Sequence, residues 1–410
     1  MPTVDGGYLC ALLASEFTDE QLAVITAPLT PQLVVAGAGS GKTTVMAARV
    51  VHAVAWHGLA PSAVLGLTFT NKAAAELAAK VRQSLRRLRI ARPLDIEAGR
   101  EAGTDDLPTV STYHAYAARI LADHALRIGR EPQAILLTEA GRWQLAGRVV
   151  RQARGPFPDL PWTPASVTRY VLELDAELSE HLVDLDAVRA LDDRLGKEIG
   201  GLPKPTKALL EVAAAARARD QLLDLVQAYR DRKRAVEAVD FGDQVALAAQ
   251  IAARCPRVGD EERAEHRLVL LDEYQDTGVA QRVLLSLLYP LGHAVTAVGD
   301  PCQSIYGWRG ASVGNLLRFF DHFGGAPGAQ PYQLSTNFRS GGRLLAVANA
   351  VSADLRTASA GARRPHVPVG ALRSRSGAEP DGETRCALLP TALDEAGWVA
   401  DQVAAAVAAG

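Results

Sequence analysis

Gln32-Leu-Val-Val-Ala36 is a short apolar, β-rich run that passes straight into Ala36-Gly-Ala-Gly-Ser-Gly-Lys-Thr43 and then into a helical pattern reaching about His57. Strand, glycine-rich turn and helix in that order predict a phosphate-binding loop, in which backbone N–H groups curl round an anion at the positive end of the helix. Glycines 37, 39 and 41 supply the curvature, and Ala36 replaces the first glycine of the usual pattern. Gly37, Ala38, Gly39, Ser40, Gly41, Lys42, Thr43 and Thr44 are therefore the candidate nucleotide-binding residues. Lys42 would reach the β- and γ-phosphates, and Thr43 would ligate Mg²⁺. The bland alternative is a glycine-rich turn with an incidental lysine, which Gly-Lys-Thr in this strand-to-helix setting sets aside.

A phosphate loop needs a second acidic element at the end of a neighbouring strand, to hold the metal and to polarise the attacking water. Asp272-Glu273 follows the apolar run Leu268-Val-Leu-Leu271 and continues as Tyr-Gln-Asp-Thr277. Asp272 is the metal-side candidate alongside Thr43, and Glu273 the candidate catalytic base. Further β-rich runs at Val64 to Phe69, Thr109 to Thr112 and Ala294 to Val298 predict a doubly wound parallel α/β sheet. Asp272 lies 230 residues after Lys42, far more than a few βα units need. Between about Glu131 and Ala235 the strand signal vanishes and helical periodicity replaces it, which predicts an inserted all-α domain. Gly324 to Pro331, rich in Gly, Pro and Ala, reads as a hinge into another unit.

Taken together, these segments resemble superfamily 1 DNA helicases of the UvrD/Rep/PcrA type over most of the chain outside the helical stretch. Phe17-Thr-Asp-Glu-Gln21 resembles the family's Q motif, which implies that Gln21 reads the adenine edge. Leu67-Thr-Phe-Thr-Asn-Lys-Ala-Ala74 and Thr112-Tyr-His114 resemble its single-strand contact motifs, implying DNA-binding roles for Phe69, Thr70, Asn71, Thr112 and His114. Val239-Asp-Phe-Gly-Asp243 is similar to a short acidic motif, with Gly242 where a second acid is common. The most diagnostic stretch is Val298-Gly-Asp-Pro-Cys-Gln-Ser-Ile-Tyr-Gly-Trp-Arg-Gly-Ala311. Gln303, just past the strand, is placed to sense the γ-phosphate, and the loop behind it carries Tyr306, Trp308 and Arg309. Two rings and a guanidinium on one loop make a stacking platform worth about 1–3 kcal/mol per base. Leu334-Ser-Thr-Asn-Phe-Arg-Ser340 completes the set: Phe338 stands where the family usually has Tyr and would stack on adenine, and Arg339 would be an arginine finger brought by a second lobe.

The resemblance implies a RecA-like ATP-binding lobe at 1–130 and 236–328, a helical insertion at 131–235, and a partial second RecA-like lobe at 329–410. It implies ATP and Mg²⁺ as cofactors, single-stranded and duplex DNA as partners, 3′→5′ polarity, and a setting in repair or recombination with partner proteins. Only 70 residues follow Ser340, too few to complete a second lobe, so an N-terminal portion of a longer helicase is expected. A DNA-binding ATP switch that does not unwind, or one subunit of a helicase–nuclease complex, stays open beside it.

Composition narrows the classes further. Forty-eight per cent hydrophobic and 22% charged residues can bury a large core, which excludes a disordered chain. With 44 basic against 46 acidic residues no global positive field draws the chain to a polyanion, so DNA must be met locally. Seven lysines against 37 arginines reflect a GC-rich coding bias that blunts any reading of arginine counts. Cys10, Cys255, Cys302 and Cys386 lack metal-ligand spacing and read as reduced core or strand-end thiols. No long apolar stretch predicts a membrane segment, and a cytoplasmic location is expected.

Overall fold

A computed structural model describes residues 6–91, 106–356, 369–375 and 383–409. Its centre is a six-stranded, all-parallel sheet built from β1 (Gln32–Ala36), β2 (Val64–Thr68), β3 (Thr109–Thr112), β4 (Leu268–Leu271), β5 (Val295–Gly299) and β6 (Tyr332–Leu334). The order across the sheet is β3-β2-β4-β5-β1-β6. Successive residues serve opposite faces. Leu33, Val35, Leu65, Leu67, Val269 and Leu271 join one hydrophobic cluster, and Val34, Ala36, Val64, Leu268, Leu270 and Val298 join another. Because helices cover both faces, the central strands are apolar throughout rather than alternating, which is why each reads as a continuous run in the sequence.

Parallel pairing sets Val34 against Val298 and Leu67 against Leu271, so the chain leaves β1, β4 and β5 at the same edge. That edge is where an open α/β sheet binds its ligand. β1 runs through the glycine turn into the helix Lys42–His57, and β2 leads into Asn71–Ala91.

Helices Glu139–Gln152, Pro164–Glu180, Leu185–Gly200 and Lys207–Ala235 lie between β3 and β4. Three of them, the first, second and fourth, share a core of their own through Leu145, Val171, Leu223, Val226 and Tyr229. The strand signal does not vanish there entirely, because Ile135–Leu136 pairs in parallel with Ala238–Val239 and staples the two ends of the segment together. A two-residue pair is too short to leave a periodic trace in the sequence.

The expected boundary at 329 falls inside this architecture. Tyr332–Leu334 follows the Gly324 to Pro331 stretch and returns to the first sheet as its edge strand, with Val35 opposite Gln333. The Gly/Pro-rich segment is thus a crossover loop within one sheet. The exposed Cys386 is neither a core nor a strand-end thiol. Among the described residues no helix is long and apolar enough to cross a membrane.

Candidate active site and nucleic-acid interface

The turn after β1 holds Gly39 at φ +70° and Gly41 at φ +82°, a left-handed geometry that glycine adopts without strain. Neighbouring side chains also crowd the turn. A Cβ on Gly37 would meet Leu372 at 2.3 Å, and one on Gly39 would meet Asn337 at 2.7 Å. Lys42 opens the following helix, and its Nζ donates to both Glu273 oxygens at 3.1 and 3.0 Å. Thr43 is half-buried in the same first turn. Thr44 accepts a 2.6 Å hydrogen bond from Lys80 of the neighbouring helix, whose ammonium is held below its usual pKa by burial. The Ser40 hydroxyl is buried and makes no hydrogen bond among the described residues.

Across the edge, Asp272 leaves β4 buried, with Oδ1 lacking a hydrogen-bond partner and Oδ2 accepting from Thr68 at 3.4 Å. Burial and the neighbouring Glu273 push its carboxyl up to about 6, against the pull of Lys42. A buried carboxylate oxygen with lone pairs to spare, at the same sheet edge as the phosphate turn, is a donor that fits Mg²⁺. Glu273 itself sits at φ +48°, one of four such non-glycine residues among those described. This conformation aims its carboxylate at Lys42 and costs roughly 1–2 kcal/mol.

Gln275 links these acids to the next strand. Its Nε2 donates to Glu273 at 2.9 Å and to Asp276 at 3.2 Å, while its Oε1 accepts from the Asp300 amide at 3.0 Å. Asp300 in turn accepts from the Gln303 side chain at 2.6 Å. A hydrogen-bonded path therefore runs from the candidate base to the candidate sensor. In the loop behind the sensor Tyr306 stacks on Phe69 at 5.4 Å, and Trp308 lies 6.4 Å from Tyr306 with 71% of its surface exposed. Exposure decides against core packing for Trp308. Arg309 ends the short 3₁₀ turn of this loop.

An open cavity of 580 Å³ beside the rings collects Phe69, Thr70, Asn71, Thr112 and His114, together with Phe241 and Glu180. His114 meets the exposed Phe241 edge-on at 6.0 Å, and burial holds its imidazole below the usual pKa. Thr70 and Thr112 also have local structural duties: each hydroxyl accepts an amide hydrogen bond in the first turn of the helix that follows.

The segment after β6 lies directly on the phosphate turn. Asn337 Nδ2 donates to the Ala38 carbonyl at 2.6 Å, and the Phe338 amide donates to Gly39 at 2.8 Å. Ser335 donates to Glu20 through its hydroxyl at 2.6 Å and its amide at 2.8 Å. Arg339 is exposed beside Gly39, so it reaches the turn on a segment continuous with the first sheet and not across an opening between lobes. Phe338 borders a second open cavity with Phe17, Asp19 and Arg373. Gln21 is not presented to that cavity. It is buried, its Nε2 donating to the Ser40 carbonyl at 3.0 Å and its Oε1 accepting from the Thr18 amide at 3.1 Å, so here it buttresses the turn.

The UvrD/REP helicase N-terminal domain family matches residues 17–324. The chain belongs to this family. Among curated relatives, it is 29% identical to the ATP-dependent DNA helicase PcrA of Leuconostoc citreum over 83% of this chain and 39% of the relative. It is 28% identical to DNA helicase II of Escherichia coli strain K12, over 83% of this chain and 40% of that one. With the ATP-dependent DNA helicase UvrD1 of Mycobacterium leprae the identity is 30%, over 79% and 37%. The chain thus spans about two fifths of the length of these relatives. Sequence reasoning on this UvrD/REP domain did not single out Gln275, Asp300, Phe241 or Asn337 as site residues. Each stands inside a motif stretch, but only the fold shows which other motif it meets.

Proposed function

We propose that this chain is the ATP-hydrolysing, single-strand-gripping portion of a DNA helicase that moves 3′→5′ and unwinds duplex in the cytoplasm, during repair or recombination and with partner proteins. The observation that carries the reading is the path Glu273, Gln275, Asp300, Gln303, which links the candidate base to the residue that opens the segment bearing Tyr306 and Trp308. The names of the relatives, all DNA helicases, support the same class. Polarity and pathway draw on family resemblance alone.

In this reading the amides of residues 37–43 hold the triphosphate, and Thr43 with Asp272 would hold Mg²⁺, which neutralises phosphate charge when bound. Phe338 would cover the base. Lys42 pairs with Glu273 here, so a γ-phosphate that takes over the ammonium would free Glu273 to accept a proton from the attacking water. Arg339 would stabilise charge on the transferred group, an effect worth about 10³–10⁵ in rate in related phosphoryl transfers. The exposed rings would stack on bases and would lose or gain alignment as Gln303 moves.

The test is DNA-stimulated ATP hydrolysis in the intact protein. Lys42→Ala and Glu273→Gln should each abolish it, and near-normal turnover by either variant would overturn the assignment of these residues.

A further inference from the structure

Glu180 ends the insertion helix Pro164–Glu180, yet its side chain is inserted between two segments of the ATP-binding lobe. A Cβ on Gly278, just after the Asp-Glu motif, would lie 1.6 Å from Glu180 Oε1. A Cβ on Gly310, at the end of the aromatic loop, would lie 2.4 Å from Glu180 Cγ. The two glycine segments are themselves joined, Gly278 bridging to Ala311 and the Ser312 amide donating to the Thr277 carbonyl at 3.3 Å. Glu180 thus fills the side-chain space that both glycines leave free, and it lines the same cavity as Phe69 and His114.

The carboxylate also stands at the start of the helix Val279–Leu288. Burial pushes its pKa up, to about 7, against the amides of Val279 and Ala280, which lower it, while Glu177 adds to the rise. Oε1 itself accepts no hydrogen bond of ordinary geometry among the described residues. A half-satisfied carboxylate in that position is expensive for a surface helix end, and an apolar contact would close the gap more cheaply. Its geometry suits a connector between the insertion and the loop that carries the bases.

We infer that Glu180 is a positioning residue through which the helical insertion sets the conformation of the Tyr306–Trp308 loop. This deepens the proposed single-strand reading and depends on it for the DNA effect, though not for the loop effect.

Two variants break the contact from opposite sides. Glu180→Ala removes the connector, and Gly278→Ala displaces it without backbone strain, because Gly278 has an ordinary φ of −82°. Glu180→Gln keeps the shape and should restore what Ala loses. Hydrogen exchange of the peptide spanning 304–312 should accelerate roughly tenfold in Glu180→Ala and Gly278→Ala and return toward wild type in Glu180→Gln, with the helix 42–57 unchanged as a control for folding. A double Glu180→Ala/Gly278→Ala variant should add little to either single one, since both act through one contact. Affinity for a fluorescent single-stranded oligonucleotide should fall about three- to tenfold in the same two variants. Wild-type exchange at 304–312 in both would overturn the inference. So would oligonucleotide binding that Trp308→Ala weakens and Glu180→Ala leaves alone. If Trp308→Ala leaves binding intact, the stacking reading falls instead, and the exchange data still decide the role of Glu180.

Discussion

Gln275 shows what a single buried amide does at this site. It is 1% exposed and uses both ends of its side chain, donating to Glu273 and Asp276 and accepting from Asp300. An ionised carboxylate cannot replace it, because the path needs a donor toward the acids as well as an acceptor toward the Asp300 amide. Its neighbour Asp276 is already pushed up to about 6 by burial and by Glu273, so a third negative charge there would be repelled. Gln275→Ala should leave nucleotide affinity within about threefold while cutting single-strand stimulation of hydrolysis by roughly tenfold or more, since one hydrogen bond to a charged group is worth about 1.5–3 kcal/mol. Gln275→Glu should be worse than Ala. Steady-state hydrolysis titrated with oligonucleotide, alongside fluorescent-nucleotide binding, separates the two effects; equal losses in both would mean that Gln275 merely supports the fold.

The helical insertion is joined to the start of the helix Phe241–Arg254 by an ion cluster. Lys233, near the end of the helix Lys207–Ala235, is 3% exposed and donates to Asp175 at 2.9 Å, Asp240 at 3.2 Å and Asp243 at 2.7 Å. Burial lowers its pKa, but the three acids more than reverse this and raise it overall. Removing the cation leaves three clustered carboxylates with only Arg230 on Asp175 and Arg142 on Asp240 to offset them. Lys233→Met should therefore destabilise the chain by about 3–5 kcal/mol in urea unfolding at neutral pH. The sign with pH follows from Asp243, whose carboxyl burial already raises and Lys233 pulls down: losing Lys233 raises it further, so stability is present at low pH and lost as pH rises through its folded pKa. The deficit should shrink as pH falls, and a pH-independent deficit would refute the electrostatic account. The same elements show what the sequence exposes. β1, β4 and β5 are legible because burial on both faces makes them unbroken apolar runs, and the long helices because their periodicity persists. The pairing of Ile135–Leu136 with Ala238–Val239 and the return of Tyr332–Leu334 to the sheet are not legible, since both depend on partners about a hundred or more residues away and leave no local pattern. At the site, Lys42, Asp272 and Glu273 are read from motif order alone, whereas Gln21 takes its contacts from Ser40 and Thr18, and the crossing of Glu180 appears only once the insertion is folded.

At the scale of the molecule, the proposed nucleotide cradle is assembled from parts distant in the chain: the turn at 37–43, the acids after β4 and the segment 335–340 after β6. Asn337 on Ala38, Phe338 on Gly39 and Glu20 on Ser335 fasten that last segment down, and Arg373–Ser374 pairs with Thr336–Asn337 outside it. A ligand held by all three parts binds the folded chain and not the unfolded one, so it must stabilise the whole by linkage. At a free concentration of a hundred times Kd the gain is about 2.7 kcal/mol. A nonhydrolysable ATP analogue with Mg²⁺ should therefore raise the midpoint of thermal unfolding by several degrees. It should also slow hydrogen exchange both at 37–43 and at 335–340. Lys42→Ala should abolish the thermal shift. Asn337→Ala should leave a smaller shift and remove the protection of 335–340 selectively, because that segment would no longer be tied to the turn. Protection of the turn with none of 335–340 in the wild type would mean that the edge-strand segment does not close over the nucleotide, and Arg339 and Phe338 would then lose their assigned places.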